Sequence, residues 1–180
     1  MKLNARNLSG FGFMCLVFLG LLWGMRDEAE GQAKSQPDAA VERARQQVKM
    51  LDDIYKTVVV GITDKYVHKE DDPPAITLAM SLFAAMKSKG WHETRLIDAT
   101  GHPYDAKNVA KDDFEKAAVA ALVGGKDYYE QLVNVDGKQR LRAATAVPVV
   151  MKKCTMCHDN YKNVKAGVSI GALTYDVPVK

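Results

Sequence analysis

YYEQLVNVDGKQRLRAATAV, residues 128–147, is the stretch on which the fold turns. Residues 128–134 and 138–147 are rich in β-branched and aromatic side chains. Asp136-Gly137 between them is a dipeptide that accepts the left-handed conformations of a tight hairpin turn. The pattern predicts two antiparallel strands. Upstream the periodicity changes. From about Pro37 to Asp64 the residues Val41, Ala44, Val48, Leu51, Tyr55, Val58 and Ile62 recur at three and four, the signature of a long amphipathic helix with Asp38 near its start. Val58-Val59-Val60 inside it is β-branched, so a strand there is the alternative.

KEDDPP at 69–74 stops that helix. A second, spanning about 74–88 and closed at Gly90, puts Ile76, Met80 and Phe83 on one face. RLIDA at 95–99 reads as a strand, and Thr100 to Pro103 as a turn. Asp112 or Asp113 starts a third helix that runs to Leu122 and meets Gly124-Gly125. Beyond the hairpin, 149–160 reads as a short helical stretch and 168–179 as a closing strand. The expectation is an α+β fold: N-terminal helices packed on one face of an antiparallel sheet.

Of 180 residues, 47% are hydrophobic and 26% charged, which excludes disordered and multi-span membrane chains. The net charge of +3 is too small and too dispersed for a nucleic-acid-binding face, so no nucleic-acid partner is expected. Lys2 and Arg6 precede the apolar run 11–25, after which the chain turns small and polar. That is the layout of an export signal over 1–31, with 32–39 as a tether and 40–180 as the folded domain. An uncleaved anchor is the alternative, and only then would the membrane be a partner. Both place the domain in the periplasm or an equivalent compartment. Of the three cysteines, Cys15 falls within the signal, leaving Cys154 and Cys157.

Cys154-Thr155-Met156-Cys157-His158 carries the chemistry. Two thiols three residues apart can add to the two vinyl groups of one porphyrin, and the adjacent imidazole can ligate iron: the attachment pattern of haem c. A zinc site would need a fourth ligand, and no further cysteine remains. A redox dithiol would sit at a helix start in a βαβ unit. A plain disulfide also suits an oxidising compartment. The expected cofactor is one covalent haem, held by Cys154 and Cys157 with His158 on the iron. For the opposite side of the iron the candidates are Met50, Met80, Met86, His68, His92 and His102. Met80, on the expected buried face of the second helix, is preferred; a vacant position is the alternative. Arg95, Arg140, Arg142, Lys152 and Lys153 could meet the propionates. Arg140 and Arg142, alternating along a strand that runs into the attachment turn, are preferred.

The Pro74-Ala75-Ile76 helix start, the hairpin, the Cys-x-x-Cys-His motif and the closing Gly171-Ala172-Leu173-Thr174-Tyr175 strand together resemble the PAS-like c-type haem domains. That family comprises stand-alone bacterial cytochromes and extracytoplasmic sensor domains, and the resemblance covers residues 40–180. It implies a haem against a PAS-like sheet with His158 as the proximal ligand. Some members draw a distal cysteine from the second helix. Here Leu78, Ala79 and Met80 occupy that region, so the resemblance favours Met80. The expected function is an exported monohaem electron carrier with redox partner proteins, and not an enzyme. The alternative is a redox or gas sensor acting through a separate partner. The apolar surplus of the first helix allows a homodimer.

Overall fold

The computed structural model describes residues 36–180 except 157, 159, 160 and 166. The segment expected as a signal (1–31), Cys15 and Cys157 lie outside the described residues. Helix α1 spans Gln36–Tyr66, beginning inside the expected tether, and carries the valine triplet as helix. Its face of Val41, Ala44, Val48 and Tyr55 is buried. Helix α2, Ala75–Ser88, starts after Pro74 and ends at Lys89, followed by Gly90 at φ +71°. Pro74 has no N–H to lose at that boundary. Among the described residues no helix is long and apolar enough to cross a membrane.

Strand β1 spans Glu93–Asp98, helix α3 Asp113–Val123, and the hairpin comprises β2, Tyr128–Val135, and β3, Lys138–Pro148. Asp112 caps α3, its carboxylate accepting the Glu115 N–H at 2.9 Å. The hairpin turn is the expected one, with Asp136 and Gly137 both at positive φ. Strand β4, Ser169–Pro178, closes the sheet in the order β1-β4-β3-β2, antiparallel throughout. The last strand in sequence is therefore an inner one.

Two features depart from the sequence reading. Helices cover both faces of the sheet. Leu141, Ala143, Leu173, Tyr175 and Val177 pack under α1 and α2, whereas Ile97, Ala144 and Ala172 pack under α3. The reason is visible in β4, which is buried along nearly its whole length. A strand apolar at both parities needs cover on both sides. The expected helix over 149–160 is, in its described part, the single 3-10 turn Lys152–Thr155 preceded by the extended Met151. Pro148 and two valines precede it, and one turn has too few hydrogen bonds to propagate a helix.

Candidate functional site

The face under α1 and α2 does not close completely. Between the C-terminal half of α1, the start of α2 and the end of β3 lies an open-sided apolar groove of about 150 Å³. Val59, Ile76, Phe83, Leu96, Val147 and Leu173 form much of its wall, and Cys154 stands in it. The turn that carries Cys154 is tied to α1. Lys153 Nζ donates to the Asp64 carbonyl at 2.7 Å and more distantly to that of Thr63 at 3.4 Å. These carbonyls belong to the last turn of α1, where no further helical N–H can reach them and a cation is favoured. Lys153 is thus a tether of the cysteine turn.

His158 follows on the same segment. Its ring stacks on Tyr161 at 4.6 Å and meets the edge of Tyr104 at 5.3 Å. Burial holds its pKa below the ordinary imidazole value, with Asp98 pulling the other way. The imidazole is therefore neutral at pH 7, the form that can ligate a metal. Cys154 is half-buried. The structure thus sets the Cys154 thiol in the apolar wall, and four residues on it holds the His158 imidazole between Tyr104 and Tyr161.

Beneath the groove lies a polar layer that no motif announced. The Tyr55 hydroxyl, in the wall, is 2.7 Å from Nε2 of His92, which is 4% exposed. Asp52 accepts hydrogen bonds from Thr145 Oγ1 at 2.5 Å and Tyr175 at 2.9 Å, and its other oxygen meets Lys56 Nζ at 2.8 Å. Burial, followed by the charge and hydrogen bond of Asp52, pushes the Tyr175 phenol far above its usual pKa. In sequence, Tyr55 and Lys56 are ordinary positions of a long helix; only the sheet packing below reveals them.

Several expected site residues lie elsewhere. Arg140 and Arg142 are on the α3 face of β3, across the sheet from the groove. The two-residue period of the strand puts Leu141, Ala143 and Val147 on the groove side instead. Arg140 Nε bonds Asp176 at 2.5 Å, while Arg142 pairs with Asp112 at 2.8 Å and covers the Phe114 ring at 4.3 Å. Arg95 is paired with the buried Glu115 and also donates to the carbonyls of Lys107 and Val109. Met80 is not on a buried face: it is 45% exposed. Ala79 and Phe83 take the core, and the 100° advance per residue leaves Met80 at the solvent edge of the Ile76–Phe83 stripe that lines the groove. Met50, His68 and His102 are exposed, Met86 is half-buried, and His92 is engaged by Tyr55.

The His92 environment sets a pH dependence. Burial lowers its pKa from the ordinary 6.5. The unfolded chain therefore binds this proton more tightly than the folded one. Stability is full above about pH 6.5 and falls as the pH drops through that value toward the depressed one. Unfolding free energies measured from about pH 8 to 5 should decline on the acid side, and His92→Gln should decline less steeply. Parallel acid slopes would remove His92 from the account.

A family model described as Tll0287-like matches residues 32–176, nearly all of the region just described. The chain belongs to the Tll0287-like family. The crystal structure of the cyanobacterial heme-protein Tll0287 superposes with a TM-score of 0.56 at 9% identity, over 74% of this chain and 93% of that one. At that identity the likeness establishes the α+β fold that this Tll0287-like chain shares with it. No curated protein matches the chain.

Proposed function

We propose that this Tll0287-like domain is an exported monohaem c-type cytochrome that transfers electrons. The observation that carries the reading is Cys154 of a Cys-x-x-Cys-His sequence standing in the wall of an apolar groove. The donor set fits the group: Cys154 and Cys157 would hold it as thioethers, and neutral His158 would take the iron. The groove fits it in character, its wall being almost wholly apolar. The structural relative is a heme-protein, which supports the same cofactor. When bound, haem supplies an iron that cycles between Fe(III) and Fe(II).

The chain's own residues supply the rest. Tyr104 and Tyr161 hold the His158 ring on two sides and fix its orientation. Lys153 fixes the thiol turn to α1, and the apolar wall excludes water, which keeps reorganisation on electron transfer small. Met80, exposed on α2 one turn beyond the groove-lining Ile76, is the distal ligand in this reading. Redox partner proteins in the periplasm or an equivalent compartment follow from it, as does the absence of substrate chemistry.

A second reading, a haem-based redox or gas sensor, is favoured by the exposure of Met80. A thioether at the solvent edge is easily displaced by a small ligand. Optical and magnetic spectra separate the two. A low-spin reduced protein, inert to carbon monoxide, with a methionine–iron band lost in Met80→Ala, is the expected result. A high-spin protein that binds carbon monoxide at once would overturn the carrier reading in favour of the sensor.

A further inference from the structure

With Arg140 and Arg142 on the far face, the groove needs another source of positive charge if its occupant carries carboxylates. Among the described residues of its wall, Lys56 is the one with a formal charge. It is held there. Asp52 binds its ammonium at 2.8 Å, and the Asp52 charge is shared with the Thr145 and Tyr175 hydroxyls. An ammonium has three donors, so one bond to Asp52 leaves two for another acceptor.

The position along the groove is as informative as the charge. The thiol turn is tied to the carbonyls of Thr63 and Asp64. Lys56 lies two helical turns back from Thr63 on α1, and at 1.5 Å per residue the two are separated by roughly 10 Å along the axis. Both Lys56 and Thr63 line the groove. Thiol and ammonium therefore share one apolar wall, the cysteine turn tied to the last turn of α1 and the ammonium two turns back. A porphyrin has that polarity: vinyl groups on one side of the ring, propionates on the other.

We infer that Lys56, positioned by Asp52, is a carboxylate-binding residue of the groove wall, two turns of α1 back from the tied cysteine turn, and that it receives a haem propionate. The inference rests on the haem reading above and assigns a site within it. Lys56 also sets the direction in which a planar dicarboxylate enters, its acid edge leading toward the middle of α1 and its reactive edge left at the cysteines.

The test uses the matured holoprotein. Lys56→Met keeps the aliphatic stem that covers the groove and removes the charge; Lys56→Arg keeps the charge. The expected result is a shifted propionate bending band in the resonance Raman spectrum of Lys56→Met, with a lowered midpoint potential. Both should return toward wild type in Lys56→Arg. A propionate band and potential unchanged in a fully haem-loaded Lys56→Met overturn the inference and leave the haem reading standing. A wild-type protein that carries no covalent haem by mass overturns the haem reading itself.

Discussion

Replacing both Cys154 and Cys157 by alanine is expected to abolish covalent haem, and intact mass is the measurement that reads it. In the haem reading each thiol would form one thioether, so the single variants would retain at most one bond and the double variant none. Cys154 lies in the wall of the groove, outside the buried core clusters, and its truncation to alanine should leave the sheet and helices in place. The double variant should therefore fold, with a far-ultraviolet spectrum like that of the parent. A full haem adduct surviving in it would remove the site. His158→Ala complements the test: the adduct should persist while the low-spin signature disappears, because attachment and ligation reside in different side chains.

The second large effect concerns Arg95. Glu115 is buried and accepts from both Arg95 and the Lys111 N–H, and Arg95 reaches the carbonyls of Lys107 and Val109 as well. Arg95→Met strips the partner from a buried carboxylate and frees two carbonyls at once. A loss of about 3 kcal/mol in urea unfolding is expected, at the low end for a broken buried pair because the guanidinium is itself partly in water. Arg95→Lys should recover only part of it, since an ammonium lacks the planar fork that spans carboxylate and carbonyls. A loss below about 1 kcal/mol would show that the pair does not anchor the loop. The same segment leads from Tyr104, which is 85% exposed and packs on the His158 ring. Loosening it should broaden the iron environment of the holoprotein as well as destabilise the fold.

The elements were legible wherever local chemistry determines them. Asp136-Gly137 specified the hairpin, Asp112 the start of α3, and the three-four spacing of Val41 to Tyr55 the buried face of α1. The Cys154-x-x-Cys157-His158 spacing was legible as a pattern, and of it the structure places Cys154 in the groove wall. What could not be read depends on which way a face turns. The alternation of Arg140 and Arg142 was visible, but not that α3 would cover that side of the strand with Asp112 and Phe114 in place to receive Arg142. Met80 shows the same limit on a helix. One face holds Ala79 and Phe83, and a residue one step around it is in solvent. Lys56 had no local signal, because its role comes from Thr145 and Tyr175, 89 and 119 positions further on, which share Asp52 with it.

The inner place of β4 fixes an order of events in the making of the molecule. Both β1 and β3 take hydrogen bonds from a strand that begins at Ser169, eleven residues beyond His158. Until those ten residues insert, β1 has no neighbour, Asp52 lacks its Tyr175 donor, and the groove has no Leu173 wall. Such distant pairings are slow to form. Cys154 is consequently present on the chain before the wall around it is complete. In the haem reading a ligase would meet an accessible peptide, and insertion of the final strand would seal the product.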